Sequence, residues 1–180
     1  ISGSEYADYL QAIVQHYKLN IQENEKVLKI TPESYGFSVD TEKNSYNATT
    51  VIWAGGEFSN PKLGNFPGSE LCTHSSSFND WDKYEGDEAL IIGGYESGID
   101  AAFNLVNLGK KVTVLSGGEP WNINHMDPSE SLSPYTRERL MDAMDRHPDK
   151  LILKGNHRVT SIEEFNKIYT IKTASGETIY

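Results

Sequence analysis

A chain of 180 residues that is 37% apolar and 23% charged can bury a core, and no apolar run in it approaches the ~20 residues needed to cross a bilayer. Its net charge of −10, from 16 basic and 26 acidic side chains, argues against a nucleic-acid or anionic-membrane surface. A single cysteine, Cys72, leaves no intrachain disulfide and no C-x-x-C dithiol, which points to a cytoplasmic setting.

Ser2-Gly3-Ser4-Glu5 has the spacing of a capping box, and Tyr6, Leu10, Ile13, Val14 and Tyr17 recur at helical intervals. An amphipathic helix packed on a sheet is therefore expected over 4–17. Short strands follow at 19–21, 27–30, 35–41, 45–48 and 50–54, separated by Pro32 and by Asn/Ser/Glu clusters. A stretch rich in Gly, Pro, Ser and Asn then runs to about Asp87 and reads as a crossing between domains. From Glu88 the apolar run Ala89 to Ile92, the break at Gly93-Gly94, an amphipathic segment and the run Val112 to Leu115 spell strand, tight turn, helix and parallel strand. Beyond a polar loop at 116–132, Ser133-Pro134 opens a helix through Arg146, with proline at the first helical position and Leu140, Ala143 and Met144 on its apolar face. Strands are expected at 151–154, 159–163, 167–173 and 178–180, the last reached through a Ser175-Gly176 turn.

The centre of the chain is the glycine turn. A helix that opens with unpaired amides at its positive end, next to residues small enough to let a phosphate approach, is suited to a dinucleotide pyrophosphate. In the G-x-G-x-x-G pattern the three glycine places hold Gly93, Tyr95 and Gly98, so the middle glycine is replaced. Gly93, Gly94, Tyr95, Glu96, Ser97 and Gly98 are the candidate cofactor-binding residues, through backbone amides and the Ser97 hydroxyl, with the Glu96 carboxylate expected to turn away from phosphate. Asp100 reads as a first-turn helix acid. The second strand ends in Ser116-Gly117-Gly118 rather than the Asp or Glu that holds a ribose hydroxyl in NAD-specific sites, which tilts the reading to NADP(H). Ser116 would hold the 2′-phosphate with a cation from Lys110, Lys111, Arg137 or Arg139. No metal site is expected: Cys72 with His74 makes only two ligands, and His125 and His157 have no partner spacing. Trp53, Trp81 and Trp121 are expected to be packing residues.

A shift of 132 places Leu19 on Leu151, Ile21 on Leu153, Val27 on Val159, Ile30 on Ile162, Phe37 on Tyr169, Val39 on Ile171 and Thr41 on Thr173 without a gap. Each copy follows a helix, so two related α/β domains are expected. The first copy's glycine turn would lie at 93 − 132 = −39, and the chain is expected to be the middle piece of a longer protein. The division is 1–60, 61–87 and 88–180.

The run Val51-Ile52-Trp53-Ala54-Gly55-Gly56-Glu57-Phe58-Ser59-Asn60-Pro61 resembles the strand and Ala-Thr-Gly-type turn by which FAD domains hand over to an inserted NADPH domain. Phe66-Pro67-Gly68, His74-Ser75 and Phe78 are similar to the F-x-G…H-S…Y element of flavin-containing monooxygenases, and the run from Gly93 to Ala102 is similar to their second glycine turn. The ordered set resembles that family, most closely its small bacterial members of the cation-efflux accessory type. The resemblance implies a Rossmann-like NAD(P)H-binding domain at 88–180, built from a βαβ unit with a β-meander, and part of a related FAD-binding domain at 1–60. It implies FAD and NADP(H) as cofactors and adds Gly55, Gly56, His74 and Ser75 to the candidate contacts. His74 has the chemistry to donate to a cofactor near neutral pH.

The expected function is hydride transfer from NADPH to FAD in a flavoprotein of the monooxygenase type, with the 180 residues alone inactive. An NADPH-dependent disulfide or ferredoxin reductase is the alternative, and a nucleotide-sensing module without turnover is the third reading. The expected partner is a small-molecule substrate, with no nucleic acid and no membrane span; a homodimer is left open.

Overall fold

The computed structural model describes residues 3–56, 60–78, 80–123, 125, 127 and 130–180. The chain forms two compact units, Ile1–Gly55 and Gly56–Tyr180.

The first unit holds α1 (Gly3–Tyr17) and an antiparallel meander of β1 (Val27–Glu33), β2 (Gly36–Thr41) and β3 (Ser45–Ala48). Ser2, the cap expected for α1, lies outside the described residues. The helix forms where its apolar spacing predicts, but it is not packed on a sheet as expected. Tyr6, Leu10 and Tyr17 are 50%, 45% and 68% exposed, and none of the unit's described residues is buried. The expected strands at 19–21 and 50–54 do not form, and Ile52 and Trp53 stand 86% and 73% exposed, so Trp53 is not the packing residue it was expected to be. The reason is the ladder. A β-branched run becomes a strand only beside a hydrogen-bonding neighbour, and the described residues of this unit contain no parallel strand to serve as one.

In the second unit β4 (Glu88–Ile92), β5 (Lys111–Leu115) and β6 (Leu151–Lys154) make a parallel sheet in the order β4-β5-β6. Two helices, α2 (Glu96–Asn107) and α3 (Pro134–Arg146), supply the connections and pack together. The apolar residues alternate between two cores, as a strand covered on both faces requires. Val112 and Val114 join Ile99, Ala102, Leu105, Val106, Trp121, Leu132, Leu140, Ala143 and Leu151. Leu115 joins Val159, Ile162 and Ile171 from a second meander, β7 (Val159–Phe165), β8 (Ile168–Thr173) and β9 (Thr178–Ile179). The sheet thus lies between a helical layer and a β layer, the arrangement of a Rossmann-like domain.

The internal repeat is visible pair by pair. Val27↔Thr41, Lys29↔Asp40, Ile30↔Val39 and Glu33↔Gly36 in the first meander become Val159↔Thr173, Ser161↔Lys172, Ile162↔Ile171 and Phe165↔Ile168 in the second, each at an offset of 132 (159 − 27 = 132). Both ladders slip at the same step, between Val27 and Lys29 and between Val159 and Ser161. The turns that hold this register differ: Gly36 at φ 137 serves the first, while Asn166 and Lys167 at φ 52 and 65 make a left-handed pair in the second. Two turn chemistries supporting one register argue for a common ancestor of the meanders rather than chance alternation.

The stretch read as a crossing packs within the second unit. Phe66 and Cys72 lie against the Leu115 core, and Pro67 O accepts from the Ile162 amide at 2.9 Å. Gly68 has φ 82, and a Cβ there would sit 1.9 Å from Ile162 O, so glycine is required by both the backbone and the neighbour. Trp81 and Tyr84 pack on the helical core, Phe78 stacks on Trp81 at 5.1 Å, and Tyr84 Oη donates to Glu88 O at 2.7 Å.

Leu140, on α3, is 0% exposed within the helical core. Leu140→Ala is expected to lower unfolding free energy by about 2–5 kcal/mol, read as a reduced urea midpoint.

Candidate functional site

At the end of β4 the chain turns on Gly93, whose φ of 111 suits glycine and whose amide donates to Leu115 O at 2.8 Å. Gly94 is buried: a Cβ there would lie 2.5 Å from the Trp121 ring and 2.9 Å from Ser116 Oγ. Tyr95, extended at φ −94, is the N-cap of α2. Gly98, one turn into the helix, lies so close to the strand end that a Cβ would fall 1.9 Å from Gly93 O. The first glycine is therefore required by its backbone angle and the third by contact. The middle place, Tyr95, has ordinary backbone angles and needs none.

Ile99 is the first helical residue whose amide is taken, by Tyr95 O at 2.9 Å. Among the described residues no group accepts from the amides of Glu96, Ser97 or Gly98, the orphan donors of a helix start. Ser97 is exposed beside them.

Glu96 turns away, as expected, and its destination is α3. Its carboxylate accepts from the Ser133 amide at 2.5 Å, the Ser133 hydroxyl at 3.2 Å and the Thr136 hydroxyl at 2.5 Å. Burial would raise its pKa, but these three hydrogen bonds outweigh it and hold the carboxyl below the ordinary value. Glu96 thus ties the head of α2 to the head of α3, where Ser133 Oγ also caps the Thr136 amide at 3.3 Å. Partial burial and the carboxylates of Asp127, Glu130 and Glu96 push the Tyr95 phenol upward.

Ser116, 7% exposed at the C-terminal end of β5, is brought against Gly94. The expected cations separate. Lys110 pairs with Asp87 at 3.7 Å and Lys111 with Glu88 at 2.9 Å, both at the opposite end of β5 from Ser116. A five-residue strand is about 16 Å long, so neither is a 2′-phosphate cation. Arg139 is engaged by Asp100 at 2.8 Å and lies 4.0 Å over the Phe103 ring, which gives Asp100 an ion-pair role beyond that of a first-turn acid. Arg137 stays half-buried in the first turns of α3.

His74 caps the short 3-10 turn Ser75–Ser77, accepting from the Ser76 amide at 3.2 Å, and the Ser75 carbonyl closes that turn on Phe78. Gly55 lies under the Trp53 ring and Gly56 has φ 70; residues 57–59 lie outside the described residues. His157 does have a partner, which its sequence spacing did not reveal: Nε2 lies 2.6 Å from Glu177 Oε2, and Lys154 pairs with the other oxygen. Sequence reasoning also missed Arg158, whose Nε and Nη2 lie 3.4 and 3.5 Å from where a Gly117 Cβ would be. Among the described residues no three His, Cys, Asp or Glu side chains converge as metal ligands, and no helix is long and apolar enough to cross a membrane.

A family model described as pyridine nucleotide-disulphide oxidoreductase matches residues 1–180. The chain belongs to that family. Membership implies FAD and NADP(H) as cofactors and an oxidoreductase of flavoprotein type. The chain is 31% identical over 124 residues to senecionine N-oxygenase of Tyria jacobaeae, covering 62% of this chain and 27% of that protein. It is 33% identical over 86 residues to bacilliredoxin reductase Bdr of Bacillus subtilis, covering 48% and 26%. The structure of the bacillithiol disulfide reductase Bdr from Staphylococcus aureus superposes at a TM-score of 0.69 with 25% identity, covering 98% of this chain and 51% of that one. The chain spans about a quarter of the length of these curated relatives and half that of the solved structure. The chain is thus similar both to an N-oxygenase and to disulfide reductases.

The glycine turn fits the pyridine nucleotide this family takes: among the described residues the amides at the head of α2 have no acceptor, and Ser97 beside them is exposed. For the flavin, the described residues supply no second strand, glycine turn and helix, and no contact to it is assigned.

Because the folded pKa of Glu96 is lowered from 4.5, the stability it contributes is fully present above that value and is lost as pH falls through the folded one. Glu96→Gln is expected to unfold at lower urea than wild type at pH 7, with the difference shrinking as the pH is taken below about 4.5.

Proposed function

We propose that this chain is the NADPH-binding portion of a flavoprotein oxidoreductase resembling flavin-containing monooxygenases, in which hydride passes from NADPH to FAD. The observation that carries the reading is the open head of α2, where the amides of Glu96, Ser97 and Gly98 have no acceptor among the described residues, next to Gly94 and Ser116. Bound there, the nucleotide would supply the hydride; these residues hold its diphosphate and set its orientation. Of the candidate contacts, Gly93, Gly94, Ser97, Gly98 and Ser116 are assigned to the nucleotide. Tyr95 is assigned to the rim of the site and Glu96 to its support. Gly55, Gly56, His74 and Ser75 stay as proposed cofactor neighbours in the whole protein, and Arg137 as a cation near the α3 head.

In domain terms, 1–60 is read as part of the FAD-binding domain, 61–87 as the crossing and 88–180 as the NAD(P)H domain. A cytoplasmic setting, in which a lone thiol stays reduced, belongs to the same reading.

One observation favours a second reading, NADPH-dependent reduction of a disulfide: the 33% identity to bacilliredoxin reductase. If it holds, Cys72 is not the attacking thiol, because burial and then the nearby Glu70 push its pKa up, away from the thiolate such an attack needs. The full-length protein separates the two. NADPH-dependent oxygen uptake supports the first reading, and NADPH consumption only with an added low-molecular-weight disulfide supports the second.

Calorimetric titration of the 180-residue chain is expected to show NADPH binding more tightly than NADH, with no stoichiometric flavin absorbance and no turnover in the purified chain. Gly98→Ala, which drives a methyl into Gly93 O, is expected to weaken both nucleotides about tenfold or more. A blank titration of wild type with both nucleotides overturns the reading.

A further inference from the structure

We propose that Arg158, carried by the connection between β6 and β7, is the cation that recognises the 2′-phosphate of NADPH. The inference rests on the nucleotide-binding reading above and names the residue that sets its specificity.

The strand β5 ends at Leu115 and Ser116 follows beside Gly94, so whatever lies over Ser116-Gly117-Gly118 would face the ribose next to the glycine turn. Arg158 lies there. Its Nε, Nη2 and Cβ are 3.4, 3.5 and 3.7 Å from the place a Gly117 Cβ would occupy, and Gly118 has nothing within 4 Å of its own. The guanidinium therefore lies over the bare backbone of Gly117, beside a second glycine whose added Cβ would meet no neighbour. Its position is fixed from both sides: the His157 amide donates to Ser116 O at 2.7 Å, and the Ala174 amide donates to Arg158 O at 2.8 Å.

Most other cations near α2 and β5 are engaged, and Arg137 is carried by the first turns of α3 rather than over Gly117. Lys110, Lys111 and Arg139 have carboxylate partners, and Lys154 is paired with Glu177. Among the described residues Arg158 has no carboxylate partner. Glu119, the nearest acid in sequence to Ser116 on this loop, is turned to the 155–156 connection instead, accepting from Asn156 at 3.1 Å and Asn122 at 2.9 Å. An unpaired planar guanidinium makes two parallel hydrogen bonds to a phosphate, and the Ser116 hydroxyl supplies a third donor.

The test is calorimetric titration of wild type, Arg158→Gln and Arg158→Lys with NADPH and NADH, and with adenosine 2′,5′-bisphosphate and AMP as probes of the 2′-phosphate alone. Arg158→Gln is expected to weaken NADPH and the bisphosphate at least tenfold while leaving NADH and AMP within twofold. Arg158→Lys is expected to recover part of the loss, since charge returns without the fork. Equal weakening of all four ligands would mean a structural role, and an unchanged NADPH-to-NADH ratio would place the 2′-phosphate elsewhere; either overturns the proposal while the nucleotide site stands. Wild type binding NADH more tightly than NADPH overturns it and points to Glu119. Wild type binding neither nucleotide removes the site itself.

Discussion

The structure depends on the contact between Gly98 and the carbonyl of Gly93. With only a hydrogen on Gly98, the head of α2 comes down on the end of β4; a methyl would sit 1.9 Å from that oxygen. This closeness keeps the helix amides at the turn, next to the end of β5, where Gly94 and Ser116 touch. Glu96 contributes from the other side. By capping α3 it removes its own charge from the amides of its helix and fixes the second helix relative to the first.

Around that contact the layers do different work. The helical layer buries Ile99, Val106 and Leu140 against Val112 and Val114, and the meander covers the opposite sheet face through Leu115, Val159, Ile162 and Ile171. The same meander occurs in the first unit with the same register and the same slip. There it stands without a parallel sheet beside it among the described residues, and none of those residues whose burial is described is buried. The comparison shows what a meander lacks by itself: its register is set locally by turns, but its burial comes from the layer it covers.

Much of this was legible in the residues. The periodicity from Ala89 to Leu115 located β4, α2 and β5, Ser133-Pro134 located the start of α3, and the gapless offset of 132 foretold a register shared to the residue. The failures have a common cause. The runs at 19–21 and 50–54 are strand-like in composition, but strand formation requires a partner that composition does not encode. Lys110 and Lys111 are adjacent to the right strand and at its wrong end. Arg158 is 41 residues from Gly117 in sequence (158 − 117 = 41), and only the parallel pairing of β5 with β6 brings the two together. The partnership of His157 with Glu177 is equally a product of the fold.

The central claim is that the amides at the head of α2 receive a dinucleotide diphosphate. Amide chemical shifts of the ¹⁵N-labelled chain, followed during NADPH addition, test it at the atoms concerned. The account predicts large, saturable shifts at Glu96, Ser97 and Gly98, with smaller ones at Gly117 and Gly118. Shifts confined to other parts of the chain while Glu96, Ser97 and Gly98 stay fixed would contradict it.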